Sequence, residues 1–343
     1  MGLYDAETEE LAAGARAELV REIDAEGAWA AEPVWRAAFE AVPRHLFVPY
    51  YYVAGVRGYE RRWGESPDPA ARERWVRGAY EDVPLATRLR GGGRGGAPPP
   101  PARATGGREG ELLTSSSQPS LMARMLVALR VADGDRVLEI GAGTGYNAAL
   151  LAHRLGDDRL VTTVDVEPEI VESARRHLAS AGYRPAVVTG DGARGVPERA
   201  PYERIIATCA LPGVPRAWVG QCVPGARILS PVATGLLALA VQGAGRAEGR
   251  FLASAAFFVP LRGVSRAAGA GDAGGVPAWA LGDESFQFLA ELTRGVLAPK
   301  EAYEVWAGQG RPGRERYGVT VEEGGEWLWL DDREGPFVWP LPV

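Results

Sequence analysis

The sequence predicts a doubly wound α/β fold with an N-terminal helical segment and a small C-terminal extension, and three observations carry that reading. An apolar, β-prone run (Val137, Leu138, Ile140) leads into the alternating glycines Gly141, Gly143 and Gly145, and then into helically spaced Ala148, Leu151, Ala152 and Leu155. Two further apolar runs, 160–164 and 186–189, are each closely followed by a carboxylate, Asp165 and Asp191. Helical pattern separates these runs, the alternation that builds a parallel sheet and gathers ligands at the carboxyl ends of its strands.

Taken in order, Leu11, Ala15, Leu19 and Ile23 step by four and predict a first amphipathic helix; Pro33 suits the first turn of a second, running to about Ala41. Pro43 stops it, and an aromatic-rich extended segment continues past Pro49. The stretch holding Tyr59, Trp63, Trp75 and Tyr80 reads as irregular but packed. Residues 91–107, GGGRGGAPPPPARATGG, are low-complexity and predict a mobile loop. Thr114, Ser115, Ser116 and Ser117 set four hydroxyls ahead of a helix opened by Pro119, with Leu121, Met122, Met125, Leu126 and Leu129 on its apolar face. Such a run suits an anion at a helix start, although a plain N-cap needs only one hydroxyl.

Past Asp191, strands are expected at 204–208, 228–232, 236–241 and 251–258, with a short helix holding Trp218. Thr208 and Cys209 then fall at a strand's carboxyl end. Gly and Ala dominate from Arg262 to Gly275 and suggest a boundary. A helix over 284–296 and a Trp-rich, hairpin-like end (Trp327, Trp329, Trp339) follow. Three segments result: 1–113, helical and aromatic; 114–262, the core; and 263–343, an extension packed on that core.

Bulk properties narrow the function. The 343 residues suit one large domain or two, and 46% hydrophobic content is ordinary for a globular chain. A net charge of -6 disfavours a partner held by its phosphates, so no nucleic acid is expected and a positively charged peptide is the better match. The N-terminal MGLYDAETEE is unlike a signal peptide and no apolar run is long enough to span a bilayer, so a cytoplasmic monomer with no membrane partner is expected. Cys209 and Cys222 are too few and too irregular for a zinc site; neither a metal nor a disulfide is expected.

The chemistry concentrates at the glycines. A dinucleotide turn wants G-x-G-x-x-G and a P-loop wants G-x-x-x-x-G-K-[ST], whereas this turn reads G-x-G-x-G with no following lysine. Glu139, just before the first glycine, repels phosphate and attracts an ammonium group. That favours S-adenosylmethionine (SAM) as cofactor, with S-adenosylhomocysteine (SAH) as product, although an ordinary strand-to-helix turn also explains the glycines taken alone. Asp165 stands where a carboxylate grips ribose hydroxyls, and Asp191 with Gly192 where an acid and an open backbone meet adenine.

The segments AVPRHLFVP, AYEDVPL, TSSSQP, VLEIGAGTGYNAALLA, VTTVDVEPEIV, VTGDGARGVPERAPYERIIATCA and VPGARILSPV together resemble the protein-L-isoaspartate O-methyltransferases, over roughly residues 38–241. The resemblance implies a Rossmann-like SAM-dependent methyltransferase fold, and as acceptor a carboxylate in a peptide or protein bearing Asp or isoaspartate. It places Ser117 on the family's active-site serine, Ser115 on the neighbouring threonine, and Ser116 on a position otherwise aliphatic, so Ser117, Ser116 and Thr208 are the expected catalytic residues and Ser115 an expected cofactor contact. Thr208 matches the threonine at the end of the fourth strand. Glu139, Gly141, Gly143 and Gly145 fall on the methionine end of SAM, Asp165 on the ribose, and Asp191 and Gly192 on the adenine.

The long 50–113 segment and the added tail depart from a compact repair enzyme, and with SSSQP, GYNAALLA and the C-terminal extension the chain resembles a branch that matures ribosomally made graspetides or lanthipeptides. That branch implies methylation of an ordinary Asp in a constrained peptide, the ester collapsing to an aspartimide, or to isoaspartate after hydrolysis. Repair of isoaspartyl proteins is the alternative, and a SAM-binding peptide scaffold without catalysis is the second. Carboxylate methylation needs no general base, because an Asp with a pKa of about 3.9 is already ionised at neutral pH. In keeping with this, none of the 3 histidines lies in the glycine or serine motifs.

Overall fold

The computed structural model describes residues 4–55, 58–89, 112–243, 245–261 and 274–341. Helices α1 (Ala6–Ala25) and α2 (Val34–Ala41) precede strands β1 (Tyr50–Gly55) and β2 (Gly58–Trp63), helix α3 (Pro69–Ala79), strands β3 (Leu85–Leu89) and β4 (Leu112–Ser116), and helix α4 (Pro119–Leu129). Next come β5 (Val137–Ile140), α5 (Tyr146–Leu155), β6 (Val161–Asp165), α6 (Pro168–Ser180), β7 (Ala186–Thr189), β8 (Tyr202–Ala207) and α7 (Arg216–Gly220). The chain ends with β9 (Cys222–Val232), β10 (Gly235–Gly243), β11 (Arg246–Ala255), α8 (Ala278–Leu281), α9 (Glu284–Leu292), α10 (Pro299–Gly308), β12 (Tyr317–Glu322), β13 (Gly325–Leu330) and β14 (Val338–Pro340). Two compact units result: Met1–Gly134 with Ala142–Thr189, and Asp135–Gly141 with Gly190–Val343.

In the first unit, α1 is capped by Asp5, whose carboxylate accepts from the Thr8 amide at 2.8 Å, and buries Ala12, Ala15, Leu19 and Ile23. An antiparallel sheet runs in the order β2-β1-β3-β4. The stretch read as irregular around Tyr59 and Trp75 is in fact β2 and α3. Its helix start was legible in Asp68-Pro69: the Asp68 side chain accepts from the Ala70 amide at 3.1 Å and proline fills the first turn. Trp75 anchors α3, fully buried, and its indole N–H donates to the Val48 carbonyl at 2.9 Å; a buried side chain of this size contributes about 1.5–3 kcal/mol. Strands β6 and β7 pair in parallel, with Asp165 opposite Thr189. The expected loop at 91–107 lies outside the described residues.

In the second unit the strand order is β14-β13-β12-β11-β10-β9-β8-β5, with β5, β8 and β9 parallel and the rest antiparallel. The Trp-rich end therefore adds three strands rather than a lone hairpin. The helix expected over 284–296 stops at Leu292: Thr293 turns its hydroxyl back on the Leu289 carbonyl at 2.8 Å, and Gly295 follows in a left-handed conformation (φ 81°). Helix α10, opened by Pro299 and anchored by fully buried Trp306, was not anticipated. The Gly/Ala boundary at 262–273 lies outside the described residues. Among those described, no helix is long and apolar enough to cross a membrane.

Candidate active site

The first unit holds the serine segment, the later glycines and Asp165. Ser115 and Ser116 both lie on β4, where period-two alternation sends neighbouring side chains to opposite faces. Ser116 sits opposite Leu85, another buried residue, with 3% of its surface exposed; half-buried Ser115 sits opposite Ala86. The Ser116 hydroxyl thus points into the core, where Arg44 reaches it at 3.5 Å. Ser117 follows the strand half-buried, and its carbonyl accepts from Arg44 at 3.1 Å.

Arg44 is the organising residue that sequence reasoning missed. It is fully buried, and its guanidinium also donates to the carbonyls of Ala79 (2.8 Å), Glu81 (3.1 Å) and Val83 (3.3 Å). Beside it, Asp82 accepts from the Gln118 side chain at 2.9 Å and from the Ser120 amide at 2.7 Å, satisfying a donor at the start of α4. Three sequence segments, AVPRHLFVP, AYEDVPL and TSSSQP, therefore meet in one hydrogen-bonded cluster. Arg44 escaped notice because a charged side chain is seldom fully buried; the signal available was its place in one of those segments. His45 next to it is also buried, its Nδ1 2.8 Å from the Tyr80 hydroxyl, and burial lowers its pKa to about 4. It is neutral at physiological pH.

The glycine turn reaches the same serine segment. A Cβ placed on Gly143 (φ 50°) would meet only the Ser115 carbonyl, at 3.8 Å, so the turn is open on the side facing β4. The Gly143 amide donates to Asp165 at 3.3 Å, and Asp165 also accepts from the Glu167 amide at 3.4 Å. Gly145 opens α5 at φ 88°, a left-handed conformation that favours glycine, and a Cβ there would press on Leu178 at 3.1 Å. Arg88 of β3 pairs with Glu167 (2.7 Å) and Glu169 (2.9 Å), linking the antiparallel sheet to the chain just past Asp165. Ser115, Gly143 and Asp165 are thus brought together.

The second unit brings together the remainder. Glu139 is buried near the end of β5, and Gly141 follows at φ 96°. Thr208, just past β8, donates its amide to the Ile140 carbonyl at 2.9 Å and its hydroxyl to the Gly141 carbonyl at 2.8 Å. Gly192 packs so closely on Ile140 that a Cβ would lie 2.7 Å from its Cγ2, and its carbonyl accepts from the Trp218 indole at 2.8 Å. Exposed Asp191 accepts from the Ala193 amide at 3.0 Å. Among the described residues there is no His/Cys/Asp/Glu cluster suited to a metal ion.

The family model for protein-L-isoaspartate(D-aspartate) O-methyltransferase matches residues 108–265. A protein-L-isoaspartate O-methyltransferase of Aeropyrum pernix is 36% identical over 199 residues, 57% of this chain and 59% of that protein's length. One from Hyperthermus butylicus is 34% identical over 227 residues, covering 64% of this chain and 75% of the relative. A solved structure named protein-L-isoaspartate O-methyltransferase superposes with a TM-score of 0.58 at 22% identity, covering 92% of this chain and 100% of its own. The fold is the expected α/β, Rossmann-like methyltransferase class.

Proposed function

This chain belongs to the protein-L-isoaspartate O-methyltransferase family, and on that premise we propose that it transfers a methyl group from SAM to the carboxylate of an isoaspartyl residue in a protein or peptide, releasing SAH. The observation that carries the reading is the meeting of Ser115, Gly143 and Asp165, which the family resemblance puts in the serine segment, at the methionine end of SAM and on the ribose. The residues fit the cofactor: the glycine turn is open toward β4, an acid ends β6 and another follows β7, and the turn lacks the lysine a triphosphate would need. When bound, SAM supplies an electrophilic methyl carbon on a sulfonium.

Each remaining task belongs to the chain. Glu139, Gly141, Gly143 and Gly145 hold the amino-acid end of the cofactor, Asp165 the ribose, and Asp191 with Gly192 the adenine. The hydroxyls of Ser115, Ser117 and Thr208 orient the acceptor carboxylate. Ser116 acts from the core side, through Arg44, by fixing the strand that carries its neighbours. Alignment of an already ionised acceptor is the main contribution, worth on the order of several kcal/mol. Methoxide leaves an ester far more readily than oxide leaves a carboxylate, so the next residue's backbone nitrogen attacks the ester carbonyl, the C–OCH3 bond breaks, and the amide proton departs with methoxide as methanol, closing a succinimide. In this reading residues 114–262 are the catalytic core, flanked by 1–113 and an extension, 263–343, in a cytoplasmic monomer.

Methylation of an ordinary Asp in a constrained ribosomal peptide, with collapse to aspartimide, is the finer alternative. The extra hydroxyl of Ser116 is one feature behind it, and that hydroxyl faces the core. The test is incubation with radiolabelled SAM and an isoaspartyl peptide. Base-labile label on the peptide is expected; SAH binding without any methyl ester would return the chain to a scaffold.

A further inference from the structure

One face of the antiparallel sheet carries a cation that nothing in the reaction above uses. Arg61 on β2 sits opposite Tyr52 on β1, Tyr52 opposite Ala86 on β3, and Ala86 opposite Ser115 on β4. Directly opposed residues of antiparallel strands project to the same side, so Arg61 and Ser115 stand at two ends of one row on one face. Tyr50 and Trp63, opposed to each other one pleat away, share that face. The Arg61 guanidinium lies 4.6 Å from the Trp63 ring centre and 6.0 Å from that of Tyr50, and Tyr50 is 40% exposed.

Among the described residues Arg61 has no ion-pair partner; neither does its neighbour Arg62, but Arg62 sits opposite buried Tyr51 on the other face of the sheet, so Arg61 is the unmatched cation on the face that carries Ser115. Nearby arginines are matched: Arg72 to Asp5, Arg74 to Asp68, Arg77 to Glu73, and Arg88 to Glu167 and Glu169. Arg61 faces aromatic rings and has no carboxylate within ion-pair distance among the described residues, in a chain whose net charge is -6. Stacking fixes the plane of the guanidinium and leaves its edge donors free, the arrangement that suits a carboxylate.

We propose that Tyr50, Arg61 and Trp63 form a subsite for an acidic side chain of the substrate peptide. The inference rests on the reading of the Ser115–Ser117 segment as the acceptor end of the site. Three interstrand steps separate Arg61 from Ser115, about 14 Å, and an extended peptide advances about 3.3 Å per residue. The acidic residue therefore stands roughly four residues from the methylated one.

Labelled isoaspartyl peptides carrying Glu at that spacing, on either side, are compared with their Gln counterparts by fluorescence anisotropy in the presence of SAH. Wild type should bind one Glu peptide roughly five- to tenfold more tightly than its Gln partner. Arg61→Ala should bring that ratio to about one, and Arg61→Glu should turn the preference toward a Lys peptide. Equal binding of Glu and Gln peptides by wild type, or a ratio that survives in Arg61→Ala, would overturn the subsite. Each ratio is taken on a single protein, so loss of folded material cannot imitate it. Because the readout is binding, failure of these peptides to be methylated would count against the proposed reaction and leave this result intact.

Discussion

Replacing Glu326 by Gln should change how stability depends on pH, and the structure fixes both sign and size. Glu326 lies on β13 with 8% of its surface exposed, and its carboxylate accepts from the Val214 amide at 2.8 Å. The turn before Val214 wraps it so tightly that a Cβ on Gly213 would lie 2.3 Å from the same oxygen. Burial raises its pKa from 4.5 to about 7. The folded protein therefore keeps this proton to higher pH than the unfolded chain does. Its stabilising share is fully present below 4.5 and is lost as the pH rises through about 7. A shift of about 2.5 units at about 1.36 kcal/mol each gives about 3 kcal/mol. Glu326→Gln stays neutral and still offers an oxygen to Val214, so it should escape that loss. Urea denaturation of both proteins across this range should show the variant gaining about 3 kcal/mol on wild type as the pH rises. Stability curves that run parallel in pH would refute the reasoning.

Other substitutions probe the two halves of the site. Asp165→Ala should weaken SAH binding by calorimetry roughly ten- to hundredfold, the worth of lost charge-assisted hydrogen bonds, and Asp191→Ala less, since Asp191 is exposed. Unchanged affinity in both would remove the cofactor assignment. Arg44→Met strands the carbonyls of Ala79, Glu81, Val83 and Ser117 and should cost about 3–5 kcal/mol in urea denaturation, with partial recovery in Arg44→Lys. A cost within about 0.5 kcal/mol would mean that the cluster bears little strain-free weight in the fold. Ser117→Ala should lower kcat about a hundredfold while SAH affinity stays at the wild-type value; a full-rate variant would move the acceptor away from Ser117.

The site was legible where its signal was local. Strand, alternating glycines and helix occupy one short run, and Asp165 and Asp191 follow apolar runs that can be seen without a partner. The antiparallel sheet was not, because β3 and β4 are far apart in sequence and only their pairing shows that Ser115 and Ser116 face opposite ways. Period two was present in the sequence, but four successive hydroxyls before a proline read as a helix start. Arg44 and Glu326 escaped for a related reason: each is a charged residue held in the core by distant backbone groups. For Glu326 the clue was the alternation with Leu328 and Leu330, all three buried on β13. Helix α3 is a different kind of omission, since Asp68-Pro69 is a start signal that aromatic content outweighed.

Methyl transfer to isoaspartate is tested by offering the protein, with SAM, matched peptides that differ only at the acceptor: a linear isoaspartyl peptide, its Asp counterpart, and a cyclised Asp peptide. Mass spectrometry follows the gain of one CH2 and any later loss to the succinimide. The isoaspartyl peptide should gain the methyl group and then form succinimide, with the linear Asp peptide inert. Methylation confined to the cyclised Asp peptide would contradict this expectation and assign the chain to peptide maturation.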